Sequence, residues 1–101
     1  MRLIYIKEST NKDKKLMAKF ELENGRTKTT HFGAKGYMDY TKYYKQNIEI
    51  AKQKRESYIA RHKENENWND PTSAGSLSRF ILWEKPSIEA SIKYYKNKFN
   101  L

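Results

Sequence analysis

Three observations predict an α+β fold. Alternating apolar strands fill the first third of the chain, an Asn-Gly pair joins two of them, and helical periodicity takes over after a glycine-rich break. The expected architecture is a small antiparallel β-hairpin or three-stranded sheet followed by three helices packed on it. With 101 residues, a single domain is expected over 1–101, its β-sheet part at 1–33 and its helical part at 37–101.

Residues 2–7, RLIYIK, form a short apolar run that reads as the first strand. Residues 15–22, KLMAKFEL, alternate, with Leu16, Ala18, Phe20 and Leu22 on one side and Lys15, Met17, Lys19 and Glu21 on the other. Asn24-Gly25 is the signature of a two-residue type I′ turn, in which both residues take positive φ. That turn would set Glu23 against Arg26 and Glu21 against Lys28, opposite charges that cross-strand pairing favours. The second strand of the hairpin would run from Arg26 to about Phe32, and Gly33-Ala34-Lys35-Gly36 ends it. Asp39 or Thr41 can cap a long helix over roughly 41–63, whose apolar positions are Tyr44, Ile48, Ala51, Tyr58, Ile59 and His62. Asp70-Pro71 reads as a cap followed by proline at the first helical position, starting a helix over about 71–83. That helix ends in Phe80-Ile81-Leu82-Trp83, the most apolar stretch. Ile88, Ile92, Tyr95 and Phe99 recur at helical spacing and define the third helix. The expected core is Leu16, Phe20, Ile48, Ile59, Leu77, Ile81, Trp83, Ile92 and Phe99.

Charge narrows the function. Lys and Arg number 21 against 12 Asp and Glu, a formal net charge of +9 that attracts polyanions. An A+T-rich genome would also raise Lys over Arg through codon usage, and here the ratio is 16 to 5. Aromatic residues make up 14%, too many for a disordered basic arm. Cysteine is absent, which excludes disulfides, thiolate metal sites and thiol catalysis. No P-loop, G-x-G-x-x-G, G-x-S-x-G or HExxH motif occurs, and the two histidines, His31 and His62, fall on a strand and at a helix end. No enzyme, cofactor or metal is expected. A metal-dependent nuclease would need carboxylates and a histidine to converge in a cleft. No apolar run approaches the ~20 residues that span a bilayer, and MRLIYIKEST lacks a secretory apolar region, so neither a membrane nor secretion is expected.

Basic residues run through the hairpin and into the long helix, interleaved with tyrosines that can stack on bases. The candidate nucleic-acid contacts are Lys15, Lys19, Arg26, Lys28, Lys35, Lys42, Lys45, Arg61 and Arg79, with Tyr37 and Tyr40 as stackers. Lys35 belongs here because Gly33 and Gly36 let a backbone approach closely. Their spacing resembles the GXXG loop of KH domains, although that loop joins two helices and this one follows a strand.

Longer segments carry a further resemblance. HFGAKGYMDYT (31–41), SYIARHKENENWNDPTSAGSLSRFILWEKPS (57–87) and ASIKYYKNKF (90–99) resemble an uncharacterised family of short basic proteins of nucleocytoplasmic large DNA viruses, the giant viruses of algae and amoebae. The resemblance covers roughly 14–99. Its most specific part is Ala60-Arg61-His62, Asn67-Trp68, Asp70-Pro71, Ala74-Gly75, Leu77-Ser78-Arg79 and Ile81-Leu82-Trp83. It implies a viral protein located in the virion or the virus factory, and brings no catalytic residues. Within the motif, Gly75 implies close approach of another element. Arg61 and Arg79 invite either an ion pair with Asp39 or Asp70, or a phosphate site built by Arg61, His62, Arg79 and Lys35. The resulting expectation is a small basic viral protein that binds nucleic acid, DNA before RNA, through its phosphate backbone, in genome packaging or the virus factory. The alternative is a minor capsid or core protein whose partners are viral structural proteins, met through a patch of Trp68, Tyr94 and Phe99.

Overall fold

A computed structural model describes residues 1–101. Strands β1 (Arg2–Glu8), β2 (Lys14–Glu21) and β3 (Thr27–Ala34) form an antiparallel sheet in the order β1-β2-β3. Alternation sorts the two faces. Leu3, Ile6, Leu16, Ala18, Phe20 and Phe32 face the helices and enter the core, while Tyr5, Lys7, Lys19, Thr29 and His31 share the outer face. Met17 is also on that outer side, yet buried, with Thr10 Oγ1 donating to its sulfur.

The β2–β3 turn differs from the sequence expectation by one residue. Gly25 alone takes positive φ, at 82°, whereas a type I′ turn would need it at Asn24 as well. Gly25 N–H donates to Leu22 O and Leu22 N–H to Arg26 O, giving a three-residue loop with glycine at its left-handed position. Glu21 therefore opposes Thr27, and Lys28 opposes Phe20 instead of Glu21. The shift moves Lys28 to the helix-facing side of the sheet, where its Nζ donates to Thr72 Oγ1 at 2.9 Å.

Four α-helices follow: α1 (Tyr40–Gln46), α2 (Ile48–His62), α3 (Ala74–Leu77) and α4 (Ile88–Phe99). The single helix expected over 41–63 is broken at Asn47, which has extended φ/ψ. Its N–H closes α1 on Tyr43 O, and its Oδ1 caps α2 by accepting from Ile50 N. The break turns Ile48 outward, 45% exposed, so it does not join the core as expected. Helix α2 buries only Ala51 and Tyr58 fully.

The helix expected from Pro71 starts three residues later. Asp70 Oδ1 accepts from both Thr72 N and Thr72 Oγ1, an Asx turn that holds the chain off helix, and Ser73 is the actual cap, accepting from Ser76 N. After α3 the backbone widens into a π-helical turn over Ser78–Leu82, and Phe80, Ile81, Leu82 and Trp83 are all buried. Four consecutive side chains point around most of a helix, so burying them all requires neighbours on every side. Phe80 meets Trp68, Tyr94 and Phe99; Leu82 meets Gly33 of the sheet; Trp83 stacks on Tyr58 of α2. The π turn is thus the central post joining sheet and helices. Helix α4 follows its expected stripe: Ser87 caps it, Tyr95 is fully buried, and Tyr95 Oη donates to Pro71 O at 2.5 Å.

Candidate nucleic-acid interface

A groove of about 620 Å³ opens where the Lys14 end of β2 and the Ala34 end of β3 face α2. Helix α2 presents Lys54, Tyr58, Arg61 and His62 to it, at i, i+4, i+7 and i+8, one face of a helix. The facing wall is Lys14 and the Tyr37–Asp39 turn, and Leu82 and Trp83 form the floor. A hollow of about 300 Å³ adjoins it, sharing Lys15, Asp39 and Leu82 and adding Lys35, Lys42 and Glu8.

The partition between groove and hollow is a buried ion pair. Lys15 Nζ lies 3.0 Å from Asp39 Oδ2, with the side chains 13% and 6% exposed, and Asp39 Oδ1 caps α1 through Lys42 N. Beside it Gly33, at φ 79°, lets Leu82 pack close to the sheet: a Cβ there would lie 2.7 Å from Leu82 Cδ1. At the far end, His62 Nδ1 lies 2.5 Å from Glu66 Oε1, while Glu66 Oε2 accepts from Trp68 Nε1 at 3.0 Å. Gly75 gives that carboxylate room, since a Cβ would stand 2.5 Å from Glu66 Oε2, so the close approach expected at this glycine comes from Glu66. Tyr58 is sandwiched between His62 and Trp83, at centroid distances of 4.3 and 4.6 Å. Burial pushes its hydroxyl up to about 12, and the Glu66 charge adds to the shift, so Tyr58 stays neutral.

The electrostatics favour an anion. Only Arg2, Lys15, Arg55 and Arg79 among the 21 Lys and Arg side chains are in ion pairs. Both carboxylates of the groove are occupied, Asp39 by Lys15 and Glu66 by His62. Lys14, Lys54 and Arg61 in the groove, with Lys35 and Lys42 in the hollow, carry no acidic partner.

The sequence-derived contacts divide accordingly. Lys35, Tyr37, Lys42 and Arg61 lie in the groove and hollow. Lys19 is on the outer face of the sheet, Arg26 closes the hairpin at the opposite end from the groove, and Lys45 is exposed on the last turn of α1. Four are engaged by other side chains of the fold, Lys28 while remaining exposed. Lys15 is held by Asp39 and Lys28 by Thr72; Tyr40 is 7% exposed and packs edge-on to Tyr44; Arg79 is held by Glu84. Arg79 does find a carboxylate, but it is Glu84 at 2.9 Å and not Asp39 or Asp70. The four-residue site imagined from Arg61, His62, Arg79 and Lys35 is correspondingly divided: Arg61 and His62 line the groove, Lys35 the hollow, and Arg79 neither. Lys14 and Lys54 complete the groove; the signal for Lys54 was its helical spacing to Tyr58 and Arg61.

His31 Nδ1 pairs with Ser9 Oγ at 2.7 Å, and no three His, Asp or Glu side chains converge as metal ligands. No helix is long and apolar enough to cross a membrane. No curated protein and no solved structure matches the chain. Over residues 4–46, from the first strand to the end of α1, the chain is similar to a family of unknown function (DUF5754).

Proposed function

We propose that the protein binds nucleic acid, DNA in the first instance, through its phosphate backbone along the groove and its adjoining hollow. The observation that carries this reading is the sorting of charge: Asp39 is paired with Lys15 and Glu66 is hydrogen-bonded to His62 and Trp68, while Lys14, Lys54 and Arg61 on the groove walls and Lys35 and Lys42 in the hollow outnumber the one remaining carboxylate, Glu8, and have no acidic partner. Phosphates of a polymer supply repeated charge to such a row. The resemblance to virus-encoded basic proteins supports a viral genome as the ligand, in packaging or in the virus factory. The alternative of a structural virion component has less support, because its patch is spent internally. Trp68, Tyr94 and Phe99 pack on Phe80 at 6.4, 6.2 and 5.8 Å.

Five phosphate contacts give a log–log salt slope of about −3.5 on a single strand and about −4.5 on a duplex. Replacing Lys14, Lys54 and Arg61 together with Glu should abolish binding while leaving the circular dichroism spectrum intact, since none of the three is in an ion pair. Unchanged retention by the triple variant, or a flat salt response, refutes the assignment.

A further inference from the structure

Of the 14 aromatic side chains, Tyr37 is the one that is exposed, at 73%. The others are spoken for. Phe20 and Phe32 are fully buried, and the rest have a ring or a cation against them. Tyr37 has neither. It is not on a loose loop, because the turn that carries it is pinned on both sides. Tyr37 N–H donates to Ala34 O, Lys35 N–H donates to Asp13 O at 3.0 Å, Gly36 supplies the positive φ of 92°, and Asp39 is locked by Lys15. The fold therefore holds a bare aromatic ring at the lip of a groove whose walls carry Lys14, Lys54 and Arg61.

A flat π face beside a row of free cations matches one chemistry, an unpaired nucleobase on a phosphate backbone. In a duplex the base faces are stacked on one another and closed to the ring, whereas a single strand can lay a base on it. We infer that the groove selects single-stranded over duplex nucleic acid, with Tyr37 as the stacking platform and Lys14, Lys54 and Arg61 on the flanking phosphates. The inference rests on the nucleic-acid reading above and adds the strandedness of the ligand. A groove of about 620 Å³ has room for a nucleotide beside Tyr37.

The test is fluorescence anisotropy with labelled oligonucleotides of about 12 nucleotides, a length within the usual site sizes. The probes are oligo-dT, oligo-rU and a blunt duplex DNA of equal phosphate number. The wild-type chain should bind at least one single strand more tightly than the duplex, and the tighter of dT and rU identifies which polynucleotide is the source. Tyr37→Ala should weaken single-strand binding by about 5- to 100-fold and leave duplex binding unchanged, while Tyr37→Phe should retain the preference. Duplex binding equal to or tighter than both single strands overturns the inference, as does an equal loss on all probes in Tyr37→Ala. Neither result touches the phosphate reading, which fails separately if the wild-type chain binds none of the three.

Discussion

Glu84 is the residue whose removal should cost the fold most for one atom changed. Its two carboxylate oxygens are divided between two arginines: Arg55 Nη2 lies 3.0 Å from Oε2, and Arg79 Nη1 lies 2.9 Å from Oε1. The Glu84 and Arg79 side chains are 10% and 12% exposed, and Arg55 is 27% exposed. Glu84→Gln keeps the volume and one acceptor but strands the Arg79 charge in a nearly dry site. Breaking a buried pair in this way costs about 3–5 kcal/mol. The Arg55 share is smaller, because that side chain reaches water and keeps its bond from Nε to Trp83 O at 2.8 Å. The lower end, about 3 kcal/mol, is therefore expected, equivalent to a fall in Tm of about 12–24 °C for a domain of this size. Arg55 is also a polar tie between α2 and the Trp83-Glu84 pair that follows the π turn, so the loss should appear first in α2. Urea unfolding followed by circular dichroism reads the total, and amide hydrogen exchange reads α2. Replacing Arg79 and Glu84 together with Met should cost less than Glu84→Gln alone. A loss below about 1 kcal/mol with unchanged exchange in α2 would refute the reasoning.

Two further outcomes follow from geometry and burial. Gly33→Ala should destabilise by about 2–5 kcal/mol, since it combines left-handed backbone with a Cβ driven against buried Leu82, whereas Gly36→Ala meets open space and should cost only about 1–2 kcal/mol. Equal urea midpoints for the two variants would contradict this. Stability should also fall in alkali. Burial pushes the Tyr58 hydroxyl from 10.0 up to about 12 and that of Tyr95 higher still, so the unfolded chain releases these protons near pH 10 while the fold retains them. Their contribution is complete below pH 10 and is lost as pH climbs towards the folded values. Tyr95→Phe should flatten the difference between urea midpoints measured near pH 8 and near pH 11, and a wild-type midpoint that does not move would refute it.

Much of the fold was legible because its signals are local. Strand alternation, the Asp39 cap and the α4 stripe depend on residues a few positions apart. The failures share a form: each was a choice between two local solutions that the sequence signals do not separate. Asn-Gly serves two hairpin turns that differ by one residue, and the choice determines which face Lys28 occupies. Asp70 read as the cap, but Thr72 gives it two donors in an Asx turn and the cap passes to Ser73. Nothing in Gln46-Asn47 breaks a helix as Gly or Pro would; the break lets α1 close on Asn47 and α2 start from it. The basic character of the site was visible in composition, but not which cations are free. Lys15 and Lys19 occupy the same strand and the same side of its alternation, yet only Lys15 is claimed by a carboxylate, 24 positions away. Such pairing is set by topology, which no spacing rule contains.

The shape of the sheet margin bears on how copies coexist. A protein that lines up along a polymer is held at high local concentration with its neighbours, the condition under which open strand edges fuse into continuous sheets. Strand β1 is such an edge, and its register slips between Leu3 and Tyr5, leaving Ile4 outside the ladder. Arg2, Lys7 and Glu8 add charge along the same strand. At the other margin, the 70–73 turn lies against the helix-facing side of β3, where Lys28 Nζ and Thr30 Oγ1 both donate to Thr72. The β1 border is thus a poor template for edge-to-edge pairing, so copies crowded along a polymer in the way proposed above would resist fusing through β1 into a continuous sheet.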